Sequence, residues 1–435
     1  VAVIDSGINY QHPDMQMREG AKLKYTKAEM EAKIAELGYG AYYSDKIPFA
    51  YSYVAENSVE NNANTHGSHV TGIVAANGDE ENGGIKGVAP DAQIFALKVV
   101  ASDGLGSSVD NIIRAVEDAV KLGADIINLS LGSTPGFYDD VEYLQKALAT
   151  AEEHGVLACV AAGNDGLASS DKNANNNTND WGVIDTGAVS SPSVYPGALS
   201  VASVDNAFYS TTGLDIFSGE EQIYSGAATD FSVGNRTDWT SIGEVQLVDC
   251  GYGDLMTDIM PLFGNTPEGP FVALVQRGKD IAFGTKIMNA SMLGAKAVIV
   301  YNNEATDEVV SNVLAENAQF YAAVLVSGNT GAKLKELAAS GATISFRGLY
   351  DAIVPNTTSA GDVSAFSSWG TTPTLDIKPE ISAPGGSIRS LSKGTDYEVM
   401  SGTSMATPYV AGSAALVLEA LQDALADGSL SLGGQ

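Results

Sequence analysis

The chain opens on an uninterrupted apolar run, Val1-Ala2-Val3-Ile4, and similar runs recur at 93–100, 126–131 and 156–161. Each is short, rich in Val, Ile and Leu, and mostly apolar with few polar interruptions, the pattern of a strand buried on both faces. Between them lie 66–76, 109–122 and 141–154, where apolar residues recur at a spacing of three to four. That spacing predicts helices with one buried stripe. Strand and helix in alternation predict an α/β fold around a mostly parallel sheet. The pattern resumes at Val363 and closes with a helix expected over 404–421.

Three segments interrupt it. Residues 15–64 are polar and Tyr-rich, with a helix expected at 27–37. Residues 167–192 are rich in Gly, Asn and Ser and read as a loop. From 215 to 350 strand-like runs at 271–275, 297–301 and 322–326 mix with helical patterns at 286–294 and 331–341. This stretch is long enough for a small β-rich or α/β domain. The expected organisation is therefore a first part at 1–214, an inserted domain at 215–350, and a second part at 351–435. No internal repeat is visible.

The 435 residues exceed one average domain. With 53 acidic and 23 basic side chains the net charge is −30, which argues against binding nucleic acid or anionic lipid. Cys159 and Cys250 lie in unrelated contexts and read as unpaired thiols, although one disulfide between them is sterically conceivable from sequence. Two cysteines make neither a disulfide framework nor a zinc cluster. No stretch reaches the roughly 18–20 apolar residues of a membrane span. There is no initiator Met or signal peptide, and the chain starts inside a strand, so a processed or truncated piece is expected. A monomer is expected.

Three motifs carry chemistry. Asp5, in Val3-Ile4-Asp5-Ser6-Gly7, ends a buried strand where α/β sheets build their sites; alone it reads better as a loop-capping acid. His66 opens a helix of small residues, His66-Gly67-Ser68-His69-Val70-Thr71-Gly72. A metal reading of His66 with His69 lacks a third ligand and a His-Glu-x-x-His pattern. Ser404, in Gly402-Thr403-Ser404-Met405-Ala406-Thr407-Pro408, sits in the first turn of a long apolar helix, where the helix end is positive; an ordinary N-cap is the plainer alternative. The order Asp, His, Ser and the Ala at 406 do not fit the α/β-hydrolase elbow, which disfavours an esterase or lipase.

Together, in this order, the three motifs resemble the subtilisin-like serine proteases, the subtilases, over roughly 1–210 and 355–425. The resemblance implies a subtilisin-like three-layer fold and a Ser404 nucleophile, with His66 as general base and acid and Asp5 orienting His66. Val160-Ala161-Ala162-Gly163-Asn164 resembles the family's oxyanion segment, which implies that Asn164 and the Ser404 amide hold the oxyanion. It implies an extended substrate bound between two edges, Gly104, Leu105 and Gly106 on one side and Ser130, Leu131 and Gly132 on the other. Ala161, Ala162 and Gly163 join the second edge as walls of the pocket for the residue before the cut. These walls are uncharged, which favours an apolar or broad preference, and Asp165 reads as a solvent-facing loop acid. The competing class is a catalytically silent binding or adhesion module on the same fold, against which stands the presence of all four active-site residues.

Asn164 and Ser404 are 240 residues apart. Within that gap, Ala273 to Gly278, Phe283, Lys286 and Gly294 to Asn303 resemble the protease-associated (PA) domain, which implies either a lid or docking module or a passive spacer. With the insertion at 15–64 and Phe366-Ser367-Ser368-Trp369-Gly370, the chain resembles lactocepin-type cell-envelope proteinases of Gram-positive bacteria. That implies an extracellular or wall-associated endopeptidase acting on proteins or peptides, with a pro-segment and anchor outside this stretch. No cofactor is required for such chemistry. Structural calcium is common in the family, and Asn77 to Asn82 supply oxygen ligands, but the loop reads as solvated and the metal site is left unknown.

Overall fold

The computed structural model describes residues 1–60, 63–102, 108–133, 142–166, 189–231, 238–306, 321–356 and 359–430. The chain divides into two compact units, Val1–Tyr209 with Asn356–Gln435, and Ser210–Pro355. The second unit is slightly wider than the stretch 215–350, because its long outer strands run through the change in sequence texture.

The first unit begins with strands β1 (Ala2–Asp5), β2 (Phe49–Ser52), β3 (Phe95–Lys98), β4 (Ile126–Leu129), β5 (Leu157–Ala161) and β6 (Ala198–Asp205). Between them lie helices α1 (Lys27–Leu37), α2 (His66–Ala75), α3 (Val109–Leu122) and α4 (Glu142–Glu153). The second unit holds β7 (Phe208–Ser218), β8 (Glu221–Asp230), β9 (Val245–Asp249), β10 (Phe271–Gln276), β11 (Ala297–Tyr301), β12 (Ala323–Val326) and β13 (Thr343–Pro355), with α5 (Phe283–Ser291) and α6 (Gly328–Ser340). The chain then returns to the first unit with β14 (Gly370–Thr371), β15 (Ile377–Lys378), β16 (Ile381–Gly386), β17 (Ile388–Leu391), β18 (Tyr397–Met400) and α7 (Thr403–Ala426).

The first unit is built on a seven-stranded sheet in the order β16-β6-β5-β4-β1-β3-β2, with every pairing parallel. Strand parity decides what each face carries, because successive side chains point to opposite sides. Ala2, Ile4, Ile127, Leu129, Ala158 and Val160 pack with residues of α3 and α4. Val3 packs with α2, and Ile126 and Cys159 with α7. Helices therefore cover both faces, which is why the strands read as continuous apolar runs. Each fully buried Val, Leu or Ile contributes about 1.5–3 kcal/mol. A one-residue slip would turn both sets to the wrong layer, so the register is firmly fixed.

The chain first winds from β1 to β2 and β3 on one side, then continues with β4, β5 and β6 on the other. The order reverses between β1 and β4, and the crevice beyond the carboxyl ends of such strands is where α/β sheets bind ligands. Asp5 ends β1 and Ser130 follows β4 directly.

In the second unit seven strands close into a barrel in the order β10-β11-β12-β8-β7-β13-β9. Two apolar clusters fill and flank it. One joins Trp239, Leu274, Ile299 and Phe346, and the other packs Ile287 and Ala290 of α5 against Val275 and Val300. α5 starts three residues before the expected 286, because Phe283 adds to the second cluster. α6 starts before the expected 331, because the hydroxyl of Ser327 accepts from the Thr330 amide at 3.2 Å and caps the helix. The polar segment 15–64 contributes β2 as an edge strand, which its mixed composition concealed.

Both cysteines are buried free thiols, and burial pushes each up to about 12. α7 is long and apolar enough to cross a membrane by length and composition. Its first half is core of the first unit, with Met405, Ala406, Val410 and Ala411 buried.

Candidate active site

The parity that buries Val3 beneath α2 also sends Asp5, two residues later, to the same face. There His66 opens α2. Nδ1 of His66 lies 2.8 Å from Oδ1 of Asp5. A carboxylate can only accept, so Nδ1 carries the hydrogen and donates. Asp5 is 3% exposed, and the same oxygen accepts from the Ser6 amide at 2.6 Å.

The start of α2 is bound to the end of β1. The Gly67 amide donates to Oγ of Ser6 at 2.9 Å, and the His66 amide to Oδ1 of Asn64 at 3.2 Å. These acceptors satisfy amides that a helix start leaves unpaired. Gly67 permits the approach: a Cβ there would lie 2.1 Å from the Gly7 carbonyl and 3.1 Å from Oδ1 of Asp5. Partial burial of the His66 ring opposes its protonated form. The charge and hydrogen bond of Asp5, with the charge of Glu398, outweigh that burial and hold the ring above the ordinary His range.

Ser404 is the second residue of α7. Its Oγ donates to the Ser130 carbonyl at 3.1 Å, and Oγ of Ser130 donates back to the Ser404 carbonyl at 2.8 Å. Pro408 explains the second bond. Having no N–H, it cannot give the Ser404 carbonyl its helical partner four residues on, and Ser130 supplies one. No hydrogen bond joins Ser404 to His66 among the described residues, so the structure brings Asp5 and His66 together but leaves Oγ of Ser404 turned to Ser130.

Asn164 stands beyond β5, exposed. Its Oδ1 accepts from the Thr403 amide at 2.9 Å and from Oγ1 of Thr403 at 3.0 Å. This fixes the side chain and leaves its NH2 as a donor beside Gly402. The turn is pinned from several sides. The Gly163 amide donates to Oγ1 of Thr403 at 3.1 Å, the Ser190 amide to the Ala162 carbonyl at 2.8 Å, and the Ser368 amide to the Gly163 carbonyl at 3.0 Å. Gly163 has φ +112, and a Cβ there would lie 2.1 Å from Oγ of Ser190.

Ser130, Leu131 and Gly132 line the exit from β4, with Ser130 buried and Gly132 exposed. Ala161 and Ala162 are buried. Gly104, Leu105 and Gly106 lie outside the described residues, as do 167–188 of the expected loop. His69 is fully buried, and its Nε2 lies 3.0 Å from the Ile388 carbonyl and 3.2 Å from the Glu398 carbonyl. It ties α2 to the β17–β18 hairpin, and burial pulls it down to about 4. Among the described residues no group of three or more His, Cys, Asp or Glu side chains is placed to hold a metal ion. Sequence reasoning passed over Ser6, Thr403 and Glu398, none of which stands out by residue type or spacing.

The subtilase family model matches residues 1–429. The chain is 32% identical over 433 residues to a PII-type proteinase of Lactococcus lactis subsp. cremoris, covering 97% of this chain and 22% of that protein. It is 30% identical over 431 residues to a C5a peptidase of Streptococcus pyogenes serotype M6, covering 95% of this chain and 33% of the relative. It therefore spans between about a fifth and a third of these relatives' length. A solved subtilisin-like protease, Apa1 from the Antarctic psychrotroph Pseudoalteromonas sp. AS-11, gives a TM-score of 0.47 at 22% identity, covering 96% of this chain and 82% of that one; that likeness is too weak to carry weight beside the family match. By the match over nearly its whole length, the chain belongs to the subtilase family of serine endopeptidases.

Proposed function

We propose that this chain is the catalytic portion of a secreted or cell-surface serine endopeptidase that cuts proteins through an acyl-enzyme on Ser404. The observation that carries this reading is the 2.8 Å bond from Nδ1 of His66 to buried Asp5. It fixes the tautomer, leaving the Nε2 lone pair as the base. Oγ of Ser404 exchanges its bond to Ser130 for one to His66, a tightening expected when substrate arrives. Oγ then attacks the scissile carbonyl while its proton passes to Nε2. The tetrahedral intermediate collapses as His66 returns that proton to the leaving amine. Water, deprotonated by His66, releases the acid and restores Ser404.

Asn164 donates to the oxyanion from its NH2, together with the Ser404 amide. Substrate main chain runs between 104–106 and 130–132, and Ala161, Ala162 and Gly163 wall the pocket before the cut. No cofactor takes part. The barrel unit, 210–355, is read as a PA-type module that acts as a lid or docking surface for large substrates. An extracellular, wall-associated location fits the charge of −30 and the resemblance to cell-envelope proteinases.

Labelling with a fluorophosphonate probe tests the reading. The parent should react stoichiometrically, and Ser404→Ala and His66→Ala should not. Absence of labelling in the parent, or labelling that survives in Ser404→Ala, would overturn it. Deleting 215–350 should slow cleavage of folded proteins more than that of short peptides; equal effects would remove the docking role.

A further inference from the structure

Asn128 is the one polar side chain of β4, and it takes no part in the chemical steps. Strand parity places it on the face of Ile126, which packs with α7. Its neighbours in register are Val3 and Cys159, and it is 0% exposed. Oδ1 of Asn128 is buried with no hydrogen-bond partner among the described residues. A carboxamide in apolar surroundings with a stranded acceptor costs free energy, and an apolar residue of like shape would avoid that cost. Whatever Asn128 contributes comes from its other end.

That end is a donor. Nδ2 of Asn128 donates to Oγ of Ser130 at 3.0 Å, and Ser130 is itself buried. Oγ of Ser130 in turn donates to the Ser404 carbonyl at 2.8 Å. A hydroxyl has one hydrogen and two lone pairs. An acceptor beside Ser130 would compete for that hydrogen. The NH2 of Asn128 instead occupies a lone pair and commits the hydrogen to Ser404. The carbonyl finds no substitute four residues on, where Pro408 lacks an N–H. The relay from Asn128 through Ser130 to Ser404 thus runs from the sheet interior to the first turn of α7, with each donor directed toward the site.

We infer that Asn128 is a positioning residue of the reaction: by orienting the Ser130 hydroxyl it fixes the backbone of Ser404, and with it the amide aimed at the oxyanion and the Cβ that carries Oγ. The inference rests on Ser404 acting as the nucleophile. Asn128 acts only through Ser130 and on the group that reacts. Its loss should therefore appear in kcat and leave KM nearly unchanged. A side chain that merely held the fold would instead lower stability and leave kcat per folded molecule intact.

Asn128→Leu and Asn128→Ala both remove the donor. Fluorophosphonate labelling counts active sites, so peptide cleavage per labelled site gives kcat free of any unfolded fraction. Each variant should lose roughly three- to ten-fold in kcat, the scale of one hydrogen bond, with KM within about two-fold of the parent. Asn128→Leu should keep its urea midpoint, because it also removes the stranded Oδ1. Pro408→Ala gives the Ser404 carbonyl an amide of its own, so in that background Asn128→Leu should cost less than about two-fold. Parent kcat in both variants, whatever their urea midpoints, or an undiminished loss beside Pro408→Ala, would overturn the role of Asn128. If Asn128→Leu fails to fold, Asn128→Ala decides the same question. A parent that does not label would instead overturn the triad reading.

Discussion

Ser130 and Ser404 exchange hydrogen bonds, each hydroxyl donating to the other's carbonyl at 2.8 and 3.1 Å. Only one of the two is expendable in the reaction cycle. In the proposed mechanism Oγ of Ser404 leaves Ser130 to be activated, whereas the Ser404 carbonyl needs Ser130 because Pro408 offers it no amide. Ser130→Ala should therefore lower stability by about 1–3 kcal/mol, the cost of stranding the part-buried Ser404 carbonyl and the Asn128 NH2 that donates to Oγ of Ser130. Pro408→Ala restores an amide four residues on and should recover part of that loss. A double-mutant cycle by urea unfolding, in a His66→Ala background that prevents self-digestion, reads the coupling. Additive effects of the two substitutions would show that Ser130 does not serve this carbonyl.

Asp5→Asn preserves size but lets the side chain offer an NH2 to Nδ1 of His66. The ring then turns to the wrong tautomer and loses the charge that favours imidazolium. The expected loss in kcat is about 10^4-fold with KM nearly unchanged, the magnitude known for serine-protease triads. Steady-state kinetics on a chromogenic peptide checks it, and a loss expressed mainly in KM would contradict the orienting role.

Much of the fold could be read from the sequence because burial writes itself into residue type. Val1 to Ile4 is apolar at every position and Ile126 to Leu129 at all but Asn128, so both had to lie inside a two-sided parallel sheet. β2 escaped notice because an edge strand with Tyr51 half-buried carries no such run. The apolar spacing puts the start of α6 too late because that start depends on Ser327, a cap rather than an apolar residue. At the site, Asp5, His66, Asn164 and Ser404 sit in distinctive local strings. Ser6, Thr403 and Glu398 act through geometry instead. Thr403 matters because it stands where Asn164 and Gly163 both need a partner, and Glu398 because a hairpin brings it to α2 from 329 residues away. Such relations exist only once the chain has folded.

Asn164→Asp separates two roles of one side chain. Asp can still accept from the Thr403 amide and hydroxyl, as Oδ1 of Asn164 does, so the turn should hold. The NH2 donor is replaced by a negatively charged oxygen facing a developing oxyanion. Loss of one such donor costs about 10^2–10^3-fold in kcat, and the added repulsion should place Asp at or beyond the upper end. Asn164→Ala should lose less activity but more stability, since it also strands the Thr403 amide. A reversed order, with Ala the slower enzyme, would show that the carboxamide serves the turn and not the oxyanion.

His69 gives the fold a dependence on pH that is separate from catalysis. Its ring is fully buried, donates through Nε2 to two carbonyls of the β17–β18 hairpin, and titrates near 4 against an ordinary 6.5. Between these values the unfolded chain binds a proton that the folded chain refuses. Stability is therefore complete above pH 6.5 and falls as pH drops toward 4, by about 3 kcal/mol in all from this group. Below 4 the folded ring also protonates and the contribution levels off. Urea midpoints for Ser404→Ala, measured from pH 7.5 to 4, should decline through this window. In Ser404→Ala with His69→Gln the amide can still donate to the hairpin but cannot titrate, so the slope should flatten by that amount. An equally steep decline in both proteins would place the acid sensitivity elsewhere, in carboxylates that must be protonated.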